Sequence, residues 1–256
     1  MNIDLNAQLS GHVFGFMTVF TRLGAGLMMF PGIGESFVPQ RVRFMFAMAL
    51  SVLMYGVLLP QIPKIPEHPA DMVRFLASEV MVGVFFGVVM RLMMGIIETA
   101  GAIMAMQIGL SNAMILNPSM ATQSSLTSAF LSIAALALLF VSGFEQVLFR
   151  ALLDTYKIFP VGQDLPYGDM VQQVVHLMSS TFAIGVELAA PFIIIGLLLY
   201  TTLGVMQKLM TQIQLFIIMI PVQIWGGFFV FGLAVGGMLG VWLTLSDDMV
   251  ARVFIR

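Results

Sequence analysis

Five charged side chains lie inside otherwise apolar runs: Arg22, Glu79, Arg91, Glu98 and Glu187. At a bilayer centre each costs about 2.5–3.5 kcal/mol on insertion scales, so each is expected to face protein or water. Such groups can pair between helices, sit beyond the lipid, or line an ion or proton path, and the sequence leaves all three open. Little else could do chemistry. His12, His68 and His176 are far apart and have no metal-ligand spacing. With no cysteine, disulfides, thiolate nucleophiles and Cys-ligated zinc are excluded. There is no paired-histidine helix, P-loop, nucleophile elbow or dinucleotide fingerprint. Asp247 and Asp248 read as solvated helix-end residues. The expectation is a chain without catalysis of its own, metal or cofactor.

Two patterns carry more information. Glu79, Gly83, Gly87, Arg91 and Gly95 recur every four residues, which traces one ridge along a helix where a second backbone can approach closely. Gly101, Ala105, Gly109 and Ala113 repeat that ridge, and Gly232, Gly236 and Gly240 form a third. Their partner can be this chain or another subunit. The second pattern is polar but neutral. Residues 99–144 carry no charge, yet 107–125 contain Gln107, Ser111, Asn112, Asn117, Ser119, Thr122 and Gln123. Pro118 pushes Asn117 away from helical geometry. Irregular backbone at membrane depth survives only inside protein or along a watery cavity. The stretch is therefore either a plain connection or a constriction in a conduit.

Long apolar helices must position these residues. The chain of 256 residues is 59% hydrophobic and 9% charged, against about 25% charged in soluble domains, so a water-soluble globule is excluded. A net charge of −2 provides no basic field for nucleic acid. Candidate apolar segments are 12–30, 42–59, 72–97, 99–116, 126–149, 174–203 and 213–245, not all of which need cross a bilayer. No positive charge precedes the first, so it is expected to be retained rather than cleaved as a signal peptide. Residues 31–43, 60–71 and 160–169 hold Pro and much of the charge and read as connections. From 209 to 246 there is no charge, a run too long for one straight span. It must tilt, kink near Pro221, or project beyond the lipid. Arg41 and Arg43 favour a cytoplasmic first loop. The 23 methionines serve as gap-fillers in helix packing or as adaptable contact surface.

Several of these segments resemble the FliR family of type III secretion export-gate subunits, which includes flagellar and injectisome members. Residues 21–50 resemble its N-terminal pattern through Arg22, Pro31, Glu35, Pro39, Arg41 and Arg43. The run from Glu79 through Gly83, Gly87 and Gly101 to Gln107, Gly109, Ser111 and Asn117-Pro118 is similar too. So is the segment Gln212, Phe216, Pro221, although the family usually has Pro where Thr211 stands, and Thr211 looks more like the FliQ version of the hairpin.

The resemblance implies an all-α membrane protein with a FliP-like portion, about 1–180, followed by a FliQ-like hairpin, about 183–245. It implies a place in the bacterial inner membrane and flagellar basal body. FliP and FliQ would be its partners in a closed gate for unfolded flagellar proteins, with FlhB and FlhA as further partners. Membrane lipid is a contact and nucleic acid is not. The family's plug maps onto Ser111, Asn112, Ala113, Met114, Ile115, Leu116, Asn117, Pro118, Ser119, Met120, Thr122 and Gln123. Packing or subunit contact falls to Arg22, Glu35, Pro39, Arg41, Arg43, Glu79, Gly83, Gly87, Arg91, Gly101, Gln107 and Gly109. The hairpin turn falls to Lys208, Thr211, Gln212, Phe216 and Pro221. The alternatives are an injectisome gate subunit and a small-solute transporter coupled through Glu79, Arg91, Glu98 or Glu187. The lack of an internal repeat speaks against the transporter.

Overall fold

A computed structural model describes residues 5–63, 65, 66, 68–109, 126–209 and 215–254. Among these, every regular element is helical. The elements are α1 (Leu5–Met28), α2 (Gln40–Leu58), a 3-10 turn (Leu59–Gln61), α3 (Pro69–Ile108), α4 (Leu126–Val141), α5 (Phe144–Ile158), α6 (Tyr167–Leu209) and α7 (Leu215–Phe254). The all-α multi-helix membrane fold expected from composition is the fold observed. Four helices among the described residues are long and apolar enough to cross a membrane: α2 with its 3-10 extension, α3, α6 and α7. A fifth crossing arises if α4 and α5 count as one broken span.

The helix limits differ from the sequence expectation in three places. Segments 72–97 and 99–116 were expected to be separate, but α3 runs unbroken to Ile108. Its 40 residues reach about 60 Å, twice the ~30 Å hydrocarbon core. Glu98 was the apparent boundary, and a charge alone does not break a helix. Segment 126–149 was expected to be single, but it divides at Gly143, whose φ of +74° no helix accommodates. The third is the connection expected over 160–169, which ends sooner because α6 begins at Tyr167; Pro191 and Pro221 lie inside α6 and α7.

The chain forms two compact units. The first comprises Met1–Leu92, Gly143–Leu177 and Asp247–Arg256; the second comprises Met93–Ser142 and Met178–Ser246. In the first, α1 packs along α2 through Phe16–Tyr55 and Phe20–Phe44 ring contacts. Helix α5 is amphipathic: Phe144, Leu148, Ala151, Leu152, Thr155 and Tyr156 form its buried face. Phe30 stacks on Phe149 at 4.7 Å between centroids, and Phe86 meets Phe254 at 5.3 Å. In the second unit, Thr127, Leu131, Ala135 and Leu139 recur every four residues as the buried stripe of α4. The Trp242 indole N–H donates to the Met93 carbonyl at 3.0 Å, and Phe130, Phe192 and Phe228 surround Phe231.

Candidate functional site

The glycine ridge of α3 meets α1 within the first unit. A Cβ on Gly83 would collide with the Arg22 carbonyl and stand 2.8 Å from the Ala25 Cβ. One on Gly87 would stand 2.7 Å from the Met29 Cβ. Both positions therefore favour glycine: at Gly83 the α1 backbone passes where a side chain would be, and at Gly87 the Met29 side chain, just past the end of α1, does. This close crossing carries Arg22 against Glu79. The Arg22 Nε donates to Glu79 Oε2 at 2.6 Å, with both side chains almost wholly buried. The same guanidinium donates through Nη1 to the carbonyls of Thr155 at 3.2 Å and Phe159 at 2.9 Å, and lies 4.2 Å from the Tyr156 ring centroid. Those carbonyls end α5, where the helix dipole favours a cation. Two of the five deep charges thus neutralise one another and pin three helices together.

The remaining residues of the N-terminal pattern hold one loop. Arg43 donates to the carbonyls of Val38 at 2.9 Å and Glu35 at 2.7 Å, and Pro39 sits at the N-cap of α2. The Glu35 carboxylate receives Arg91 Nη1 at 3.2 Å. Arg41 is exposed. In the second unit, Glu187 is exposed on α6, while Glu98 offers its carbonyl to the Ser128 hydroxyl at 3.0 Å.

The neutral polar stretch is described only at its margins. The expected plug, Ser111 to Gln123, lies outside the described residues. Its two approaches lie within the second unit and both are anchored on α3. At the near end Gly109 closes α3 with φ +87°, its N–H returning to the Met106 carbonyl at 3.2 Å. This is the left-handed cap that glycine provides without strain. A Cβ there would also stand 2.9 Å from the Gln223 carboxamide carbon. The Gln223 Nε2 donates to the Gln107 carbonyl at 2.8 Å and to the Tyr200 hydroxyl at 3.0 Å. Gly196 and Gly227 complete the fit, because a Cβ on either would collide with Gln107 Oε1 or meet Ile108 Cγ1 at 2.8 Å, respectively. Gln223 is 6% exposed. At the far end, Thr127 donates to the Gly101 carbonyl at 2.9 Å, and a Cβ on Gly101 would stand 2.5 Å from the Ser128 Cα. Gly101 lies two helical turns, about 12 Å, before Gly109. Both anchors are therefore on one stretch of α3, and every bond described in them is uncharged.

Sequence reasoning singled out Gly101, Gln107 and Gly109 as packing or subunit-contact residues but missed Gln223 and Tyr200. The available signal was a carboxamide within the uncharged run of α7. At the hairpin, Lys208 is exposed near the end of α6 and Pro221 is exposed in α7. Thr211, Gln212 and the Phe216 side chain lie outside the described residues. The third glycine ridge differs from the first: a Cβ on Gly232, Gly236 or Gly240 would meet nothing within 4 Å.

Comparison with known proteins adds a family likeness over nearly the whole chain. The profile of the family described as bacterial export proteins, family 1, matches residues 13–249. The flagellar biosynthetic protein FliR of Caulobacter vibrioides is 32% identical over 224 residues, covering 88% of this chain and 89% of that protein. The FliR of Aquifex aeolicus is 26% identical, covering 80% of this chain and 79% of its own length. That of Bacillus subtilis is 25% identical, covering 82% and 81%.

Proposed function

The chain belongs to bacterial export proteins, family 1, and on that premise we propose that it is a membrane subunit of the flagellar type III export gate. In this reading it assembles with FliP and FliQ in the inner membrane, with FlhB and FlhA nearby, and unfolded flagellar proteins pass through the assembly. The portion to about residue 180 is FliP-like and about 183–245 is a FliQ-like hairpin. The chain catalyses nothing; it gates.

The observation that carries the reading is the uncharged anchoring of the approaches to residues 110–125. A plug must block ions yet yield to a passing polypeptide. Gln107, Tyr200, Gln223 and Thr127 hold its flanks through neutral hydrogen bonds, each worth about 0.5–1.5 kcal/mol net, so none is a strong barrier to release. Two of the charges that could have coupled ions are engaged in ion pairs, Glu79 with Arg22 and Arg91 with Glu35, which supports gating over solute transport. The flagellar rather than injectisome reading is supported by the naming of the relatives as flagellar proteins.

Co-expression with FliP and FliQ from the same source tests the assembly. A stable complex through affinity purification and gel filtration is expected. A monodisperse chain that ignores both would defeat the proposal.

A further inference from the structure

A cleft of about 380 Å³ opens in the first unit between the end of α2 and α5. One wall is apolar: Met54, Val57 and Leu58 from the last turn of α2, and Leu153 from α5. Its other wall is a stripe of α5. Arg150, Asp154 and Lys157 fall at i, i+4 and i+7, so helix geometry puts them on one face, and all three line the cleft. Lys157 pairs with Asp154 at 2.5 Å, which leaves the stripe with one net positive charge. Among the described residues no carboxylate is paired with Arg150. Tyr156 also lines the cleft and is 2% exposed; its hydroxyl is one of the few buried polar atoms among the described residues without a hydrogen-bond partner.

The surroundings decide the ligand chemistry. Helix α2 is long and apolar enough to span, and Pro60 and Pro63 follow directly. The cleft is thus at the end of a span, where headgroups lie and where basic pockets recognise anionic lipids. Leu53 and Val57 leave α2 exposed at 69% and 68%, an apolar track one helical turn long on the helix that lines the cleft. A free anion would use the cations but not the track; a neutral lipid would use the track but gain nothing from Arg150. We infer that this cleft binds an anionic phospholipid, its phosphate held by Arg150 and Lys157 and one acyl chain laid along Leu53 and Val57. The site owes nothing to the gate and would bind lipid whatever the chain's role in export.

Native mass spectrometry of the full-length detergent-solubilised chain, titrated with phosphatidylglycerol or phosphatidylcholine, tests it. Preferential phosphatidylglycerol binding is expected. The pair Arg150→Gln and Lys157→Gln should lower that preference about five-fold for each cation removed, whereas Arg74→Gln, at an exposed pair elsewhere, should leave it unchanged. Val57→Asn, at an exposed position, should weaken phosphatidylglycerol binding while the protein keeps its helical circular dichroism. Glycerol phosphate and inorganic phosphate at millimolar concentration should fail to displace the lipid. Equal binding of the two lipids, an unchanged preference in the double variant, or displacement by inorganic phosphate would each overturn the inference.

Discussion

Arg22 and Gln223 solve the same local problem in two regions with different chemistry. Each is a buried polar side chain that donates to backbone carbonyls at the C-terminal end of another helix. Arg22 does so at the end of α5 with a full charge, balanced by Glu79. Gln223 does so at the end of α3 with a neutral carboxamide shared with Tyr200. Charge-assisted bonds are roughly twice as strong as neutral ones, and a buried ion stripped of its partner is costly. The first arrangement therefore fixes its helices. The second holds the helix that leads directly into residue 110 by bonds that can be exchanged at modest cost. Permanence and release are assigned to different regions by charge.

The largest effect should come from breaking the ion pair on one side. Glu79→Leu leaves Arg22 buried and unbalanced, and should cost about 3–5 kcal/mol in thermal or denaturant unfolding of the solubilised chain. Arg22→Met combined with Glu79→Leu should recover much of that loss. A double variant no better than the single one would remove the pair's standing as a lock. Next is Gly83→Leu. Its side chain must displace the α1 backbone at Arg22, so a loss of at least about 1–3 kcal/mol is expected. Gly236→Ala is the matched control. With open space around it, the substitution should leave unfolding unchanged or improve it by up to about 1 kcal/mol. If Gly236→Ala instead blocks co-purification with FliP and FliQ, the third ridge is a subunit contact.

Gln223→Leu should cost about 1–3 kcal/mol, because the Gln107 carbonyl and Tyr200 hydroxyl lose their partner. That is less than the Glu79 variant, and the ordering is what the comparison requires. The smallest effect belongs to Arg91→Ala. Its pair with Glu35 is half open to solvent, so a change below about 1 kcal/mol is expected in the same unfolding assay.

The sequence made some of this legible and not the rest, for physical reasons. The apolar helices follow from composition, and the α3 ridge follows from a four-residue period that survives any tertiary arrangement. Arg22 and Glu79 each stood out as deep charges. Their pairing did not, because partners 57 residues apart are set by packing rather than spacing. The break at Gly143 was hidden because a glycine in an apolar run reads equally as a packing site. Pro221 lies inside α7, where a proline can kink a helix without ending it. The pairing of Gln223 was hidden because its partner, the Gln107 carbonyl, is 116 residues away and belongs to backbone, which every residue offers.

In the proposed function the neutral stretch closes a conduit in the assembled gate. The direct measurement is ion and small-dye permeability of cells co-expressing FliP, FliQ and this chain lacking residues 112–120, with assembly checked by co-purification. A complex that assembles normally and leaks, where the intact chain holds tight, is predicted. A complex that assembles normally, stays tight and still exports flagellar subunits would contradict the account.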